Sequence, residues 1–201
     1  MSTYVIGDIH GCFDQFTKLL KKINYKKDED KLILLGDLVN RGPDSLSVIN
    51  HCMADSNIIT VLGNHDLYLL YLLSIDKATG SLKEVVEADS NKQIFKWLLK
   101  MPLMLEIVDE FTGNSFLIAH AGIPEIWSPK KTKELASEVT SLLQKNPLKV
   151  LQSMWGDNPN QWNEELVDDE RCRIIINYLT RMRFVDKNCK LDLKNNTVKA
   201  S

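Results

Sequence analysis

The chain has no CxxC pair: Cys12, Cys52, Cys172 and Cys189 stand far apart in the sequence. That spacing suits reduced thiols in the cytoplasm better than a disulfide framework or a thiolate metal site. A long hydrophobic run is missing too. The most apolar stretch, Leu67 to Leu73, is about a third of the roughly 20 residues that span a bilayer. A basic excess is absent, since 25 Lys and Arg stand against 27 Asp and Glu for a net charge of −2, which argues against a nucleic-acid partner. Met1 to Tyr4 offers neither a basic n-region nor an apolar h-region, so no leader is expected there. Solenoid repeats and low-complexity segments are also missing. What remains is an ordinary soluble composition, 44% apolar and 26% charged. The 201 residues predict a single domain, 1–201, able to bury roughly 70% of its unfolded surface without disulfides or a structural metal.

Three strand-loop-helix units open the chain. Tyr4-Val5-Ile6 ends at Gly7-Asp8, and the apolar positions then take helical spacing at Phe13, Phe16, Leu19, Leu20 and Ile23. Leu32 to Leu35 ends at Gly36-Asp37, followed by a helix from about Asp44, a good N-cap. Ile58 to Leu62 ends at Gly63-Asn64, with a helix beginning near Asp66. Short continuous apolar strands alternating with helices predict an α/β fold with a parallel sheet buried on both faces. Residues 76–93 read as a solvated connection, and Phe95 to Leu99 as a helix stopped before Pro102. Leu103 to Val108 and Ser115 to Ala119 read as antiparallel strands about a turn at Thr112-Gly113-Asn114. A helix is expected over Thr132 to Gln144, then a loop at Trp155-Gly156-Asp157. Arg171 to Phe184 fits helix or strand.

Ligands of such sheets bind beyond the carboxyl ends of the strands. Four strand ends carry Asp8 with His10, Asp37, Asn64 with His65, and His120. Carboxylate, imidazole and amide oxygen without thiolate suit hard and borderline divalent ions. Asp8 and His10, at i and i+2, share one side of an extended chain and can reach one ion. Asp37 has two oxygens and can bridge two ions, leaving Asn64 and His120 for the second. Ions roughly 3.5–4 Å apart serve phosphoryl hydrolysis. His65 is then the candidate general acid, and the planar fork of Arg41 a clamp for phosphate oxygens. His51 lies mid-helix, away from any strand end, and is expected to be a surface or capping residue. Asp66 fits a helix cap and a supporting role equally well.

Gly7-Asp8-Ile9-His10-Gly11, Gly36-Asp37-Leu38-Val39-Asn40-Arg41-Gly42, Gly63-Asn64-His65-Asp66 and His120-Ala121-Gly122 resemble, in order and spacing, the blocks of the calcineurin-like metallophosphoesterases, in the phosphoprotein-phosphatase branch. Within that branch, Trp97-Leu98-Leu99, Trp155-Gly156-Asp157-Asn158-Pro159 and Thr180-Arg181-Met182-Arg183-Phe184 are similar to the bacterial symmetrical diadenosine tetraphosphatases. The resemblance runs from Met1 to about Leu193. It implies a two-layer β-sandwich flanked by helices and symmetrical cleavage of a dinucleoside polyphosphate to two ADP by in-line attack of metal-activated water. It also implies two divalent ions, Mn²⁺ or Co²⁺ first, with Mg²⁺, Fe²⁺ or Zn²⁺ possible. Asp8, His10, Asp37, Asn64 and His120 become metal ligands, His65 the acid and Arg41 a phosphate contact. A further arginine comes from Arg171, Arg173, Arg181 and Arg183, with Arg181 and Arg183 taken as substrate-binding.

Two departures from the family pattern stand out. Asn40 occupies the place of the acidic residue that orients the histidine in the protein phosphatases. The family's later Gly-His block is absent from these 201 residues, so the fold is expected to be C-terminally shortened and the second metal site to lack one ligand. The protein-phosphatase reading and that of a shortened, impaired nucleotide- or metal-binding homologue stay open at this point. Unequal metal sites are expected, and calorimetric titration of the chain with Mn²⁺ checks this. Two binding steps of different affinity fit the expectation; two equally tight sites refute it.

Overall fold

The computed structural model describes residues 2–109 and 112–195, which fall into two compact units divided after Met101. In the first unit, β1 (Thr3–Ile6), β2 (Lys31–Leu34) and β3 (Ile58–Thr60) form a parallel sheet in that order. The register aligns Val5 with Ile33 and Ile33 with Ile59. The central strand is the buried one, with Leu32 and Leu34 fully covered, as its unbroken apolar run predicts. The connecting helices are α1 (Phe13–Lys22) and α2 (Ser45–Met53), and α3 (Asn64–Ser74) follows β3. Asp44 is the N-cap of α2, its side chain accepting from the Ser47 N–H at 2.9 Å. α3 begins two residues earlier than the sequence suggested, at Asn64, so the residues read as a loop motif form the first turn of a helix.

Residues 76–93 are more than a solvated connection. A 3-10 turn over Gly80–Leu82 leads into α4 (Lys83–Glu87), and Leu82, Val85 and Val86 are buried. Three apolar side chains spaced for one helix face are a short signal, and the surrounding Lys, Glu and Asp mask it. α5 (Asn91–Leu98) then buries Ile94 and Leu98. His51 sits in α2 with its ring edge-on to Phe13 and Phe16, at 5.9 and 5.5 Å between centroids, and burial holds its pKa below the usual value. It is a packing residue, neither a cap nor near the strand ends.

In the second unit, β4 (Met104–Val108) and β5 (Ser115–Ala119) pair antiparallel, Met104 opposite Ala119. α6 (Pro129–Lys145) is capped by Ser128 and started by proline, α7 (Pro147–Ser153) follows, and α8 (Asp168–Arg181) packs on both. Seven consecutive residues of α8, Ile174 to Thr180, are buried, which is why its periodicity is ambiguous. A small hairpin of β6 (Phe184–Val185) and β7 (Leu191–Asp192) closes the described part. Trp127, Trp162 and Tyr178 meet edge to face at 5.2 and 5.1 Å, the packing role expected of large aromatics. Among the described residues no helix is long and apolar enough to cross a membrane.

The N-cap of α2 gives a direct stability test. Asp44→Ala removes the acceptor for Ser47 and is expected to cost about 1 kcal/mol in denaturant unfolding, while Asp44→Gly costs only a few tenths. Equal losses would show that the carboxylate does not cap the helix.

Candidate metal centre

The loops after β1 and β2 are bonded to each other through the main chain. Ile9 and His10 donate their N–H groups to the Asp37 carbonyl at 3.1 and 2.9 Å, Gly11 donates to Leu38 at 2.9 Å and Gly42 to His10 at 2.7 Å. This close approach needs glycine at 42, where a β-carbon would strike the His10 carbonyl, and at 63, where it would strike Asp37. His10, Asp37, Asn40 and Arg41 all have positive φ, between 51° and 74°, a costly backbone region for residues with side chains.

Asp66 holds these loops in place. Its Oδ2 accepts from Asp37 N at 2.8 Å and Gly63 N at 2.9 Å, and its Oδ1 from Leu38 N at 2.9 Å. It is the third residue of α3 and only 1% exposed. Burial, with Asp37 adding to it, pushes its pKa up to about 7 against the opposing pull of the three N–H groups. Of the two roles the sequence allowed, it performs both: it bonds the N-cap backbone of α3 and braces the loop after β2. Asp37 in turn accepts the His65 N–H on Oδ1 at 2.8 Å, leaving Oδ2 turned toward the imidazoles.

His10 Nδ1 lies 3.2 Å from the Val39 carbonyl oxygen. A carbonyl only accepts, so the neutral ring has its proton on Nδ1 and its lone pair on Nε2. That lone pair converges with two carboxylate oxygens, Asp8 Oδ2 at 3.4 Å and Asp37 Oδ2 at 3.9 Å. Ligand atoms of His10, Asp37 and His65 lie within 4.8 Å of one another. An imidazole lone pair facing carboxylates is a donor set that a divalent cation fits, and its N and O atoms suit hard and borderline ions.

His65 faces two further groups. Its Nδ1 is 2.8 Å from Asn40 Nδ2, and its Nε2 is 3.5 Å from an Arg41 guanidinium nitrogen. Asn40 Oδ1 accepts from the Arg41 N–H at 2.9 Å and from the Ser81 hydroxyl at 2.6 Å. Ser81 was invisible to the sequence reading, because nothing in a Lys- and Ser-rich stretch marks a residue that reaches back 41 positions.

Asp8, His10, Asp37, His65 and Arg41 are therefore neighbours within the first unit, and Asn64 is the half-buried first residue of α3. His120 follows β5 in the second unit, where the next residue, Ala121, donates its N–H to Leu179 of α8 at 2.8 Å. The four arginines sort themselves by partner. Arg171 is bidentate to Glu138 at 2.7 and 3.0 Å and lies over the Trp162 ring. Arg173 donates to the Ser153 and Asn158 carbonyls. Arg181 holds the Trp155-Gly156-Asp157 loop through Asp157 at 3.0 Å and the Gly156 carbonyl at 3.2 Å. Arg183 lies past the end of α8 and is exposed.

Comparison with known proteins bears on these residues. The family model for calcineurin-like phosphoesterases matches residues 1–186. The symmetrical bis(5'-nucleosyl)-tetraphosphatase of Marinomonas sp. (strain MWYL1) is 40% identical over 203 residues, covering 97% of this chain and 71% of that protein. Its namesake from Pseudomonas entomophila (strain L48) is 41% identical over 201 residues, covering 97% and 69%. A crystal structure described as a candidate diadenosine tetraphosphatase superposes with a TM-score of 0.51 at 28% identity, over 65% of this chain and 58% of that one. The chain thus spans less than two thirds of that solved chain.

The Asp66 brace makes two measurable statements. Asp66→Ala leaves three buried N–H groups without an acceptor and is expected to cost about 3 kcal/mol or more. The raised carboxyl pKa means the folded chain keeps a proton that the unfolded chain releases near pH ~4. The contribution of Asp66 to stability in chelator is therefore largest below that pH and falls as pH rises through about 7. Asp66→Asn flattens this dependence in urea unfolding at pH 5 and 8; an unchanged slope would assign it to another group.

Proposed function

The chain belongs to the calcineurin-like phosphoesterases, and on that premise we propose that it is a metal-dependent hydrolase cleaving diadenosine tetraphosphate symmetrically into two ADP. The observation that carries the proposal is the convergence of the His10 lone pair with Asp8 and Asp37 beside the His65 and Arg41 donors. The names of the relatives, at about 40% identity over nearly the whole chain, support the substrate class. The family implies divalent metal ions. We assign Asp8, His10, Asp37, Asn64 and His120 as their ligands, with Mn²⁺ or Co²⁺ as the ions, on the chemistry of the donor set. We take 1–201 as one functional domain, a reading supported by the family model running through both compact units.

A divalent cation held by these ligands supplies Lewis acidity toward the phosphoryl oxygens and lowers the pKa of water. The chain's own residues do the rest. Arg41, as a planar fork, takes two oxygens of the phosphate chain and orients it. His65 gives a proton to the phosphate oxygen that leaves as ADP. Asp37, with Oδ1 fixed on the His65 N–H, keeps its other oxygen aimed at the reacting side. We assign Arg181 and Arg183 to substrate binding, Arg181 through the Asp157 loop it fixes. Four free cysteines accord with a cytoplasmic location. The partner is a small dinucleoside polyphosphate, with neither nucleic acid nor membrane.

Incubation with diadenosine tetraphosphate and Mn²⁺ or Co²⁺ is expected to yield ADP alone. AMP with ATP, or a preference for phosphopeptides, would overturn the assignment. Asp37→Asn is expected to abolish turnover, and His65→Ala to lower kcat by about 10²–10⁴-fold with little change in KM.

A further inference from the structure

The Asn40 amide can be assigned from its partners. The Arg41 backbone N–H lies 2.9 Å from one terminal atom of that side chain, and a backbone N–H can only donate. That atom is Oδ1, and the Ser81 hydroxyl, 2.6 Å away, is its second donor. Nδ2 is then the atom that faces His65 Nδ1 at 2.8 Å, and an amide nitrogen can only donate. His65 Nδ1 is the acceptor, so the neutral ring carries its proton on Nε2. That N–H stands 3.5 Å from the Arg41 guanidinium, a separation at which two donors lie side by side rather than bond to each other. The same Nε2 lies 4.0 Å from Asp37 Oδ2, so it faces the carboxylate side of the cluster.

We infer that Ser81 and Asn40 form a positioning pair that keeps the His65 proton on Nε2, the nitrogen turned toward the departing phosphate oxygen. The inference deepens the proposed function and rests on His65 being its general acid. A carboxylate at position 40 would accept from Nδ1, so a neutral ring would keep its proton there and Nε2 would be an N–H only in the imidazolium. The amide does the opposite, and asparagine also tolerates the φ of 74° that its backbone adopts. Ser81 supplies what Asn40 lacks by itself. With a single donor on Oδ1 the amide can rotate, whereas two donors from segments far apart in sequence clamp it, and each polarises the N–H offered to His65. Ser81 never needs to touch substrate to do this.

Nitrogen-15 NMR of the full chain, with and without diamagnetic Mg²⁺, reads the tautomer directly, with His65→Gln identifying the resonances among the four histidines. In the unsubstituted protein, Nδ1 is expected at the shift of an unprotonated imine nitrogen and Nε2 at that of an N–H. Ser81→Ala blends the two shifts, Ser81→Thr restores them, and Asn40→Asp moves Nδ1 to the shift of a protonated nitrogen. Ser81→Ala should also lower kcat without raising KM, and Ser81→Thr should recover it. A protonated Nδ1 in the unsubstituted protein, or shifts unmoved by Ser81→Ala, would overturn the inference. The shifts are read without turnover, so a correct tautomer in a chain that leaves diadenosine tetraphosphate intact would sink the substrate assignment and spare the positioning pair.

Discussion

Three N–H groups from two loops donate to the buried Asp66 carboxylate, and the arrangement of the candidate site follows from that one set of bonds. They fix the backbone at Asp37 and Leu38 against the start of α3, so that Asp37 meets the N–H of His65 and turns its other oxygen to the imidazoles. Several residues there hold positive φ, a local cost that such bonds offset. The cluster is thus shaped by main-chain geometry. This is the condition for electrostatic preorganisation, since side chains already aimed need not reorganise as charge develops.

The same bonds explain what could and could not be read from the residues alone. Asp8, His10, Asp37, Asn64 and His65 were legible because each closes a short apolar strand, and the sheet geometry sends all strand ends of the first unit to one side. Asp44 was legible because an N-cap is a local bond to a residue three positions on. Ser81 and the brace by Asp66 were not, since their partners lie 41 and about 30 positions away and depend on how loops stack. α4 was hidden by its brevity, and α8 was ambiguous because burial all round removes the alternation that separates helix from strand.

The arginines illustrate a second limit. Composition places four of them near the end of the described chain and cannot rank them. The structure distinguishes Arg171, Arg173 and Arg181 by what each guanidinium holds. Arg171 is committed to Glu138, and Arg173 to two carbonyls, so both act as structural ties between α8 and its surroundings. Arg181 joins Asn177 in holding the Gly156 carbonyl, which sets the loop at Trp155-Gly156-Asp157 on the face of α8. A motif resemblance spanning Trp155 to Phe184 is therefore, in large part, the resemblance of one helix and the loop it carries.

Asn40 bears on why this site suits a polyphosphate. A carboxylate there would add a third negative charge to those of Asp8 and Asp37, next to a substrate that is itself polyanionic, and would repel it. The amide keeps a hydrogen bond to His65 without that charge. What is given up is the ability to hold the imidazole as a cation. An alkoxide leaving group, such as a serine side chain, needs a strong acid and would suffer from this loss. A phosphate leaving group has a low pKa and needs only a well-aimed N–H, so the demand shifts from acid strength to geometry. Under the proposed function, an Nε2–H aimed through Asn40 meets that demand, and the two donors on Asn40 Oδ1 fix the amide that faces His65.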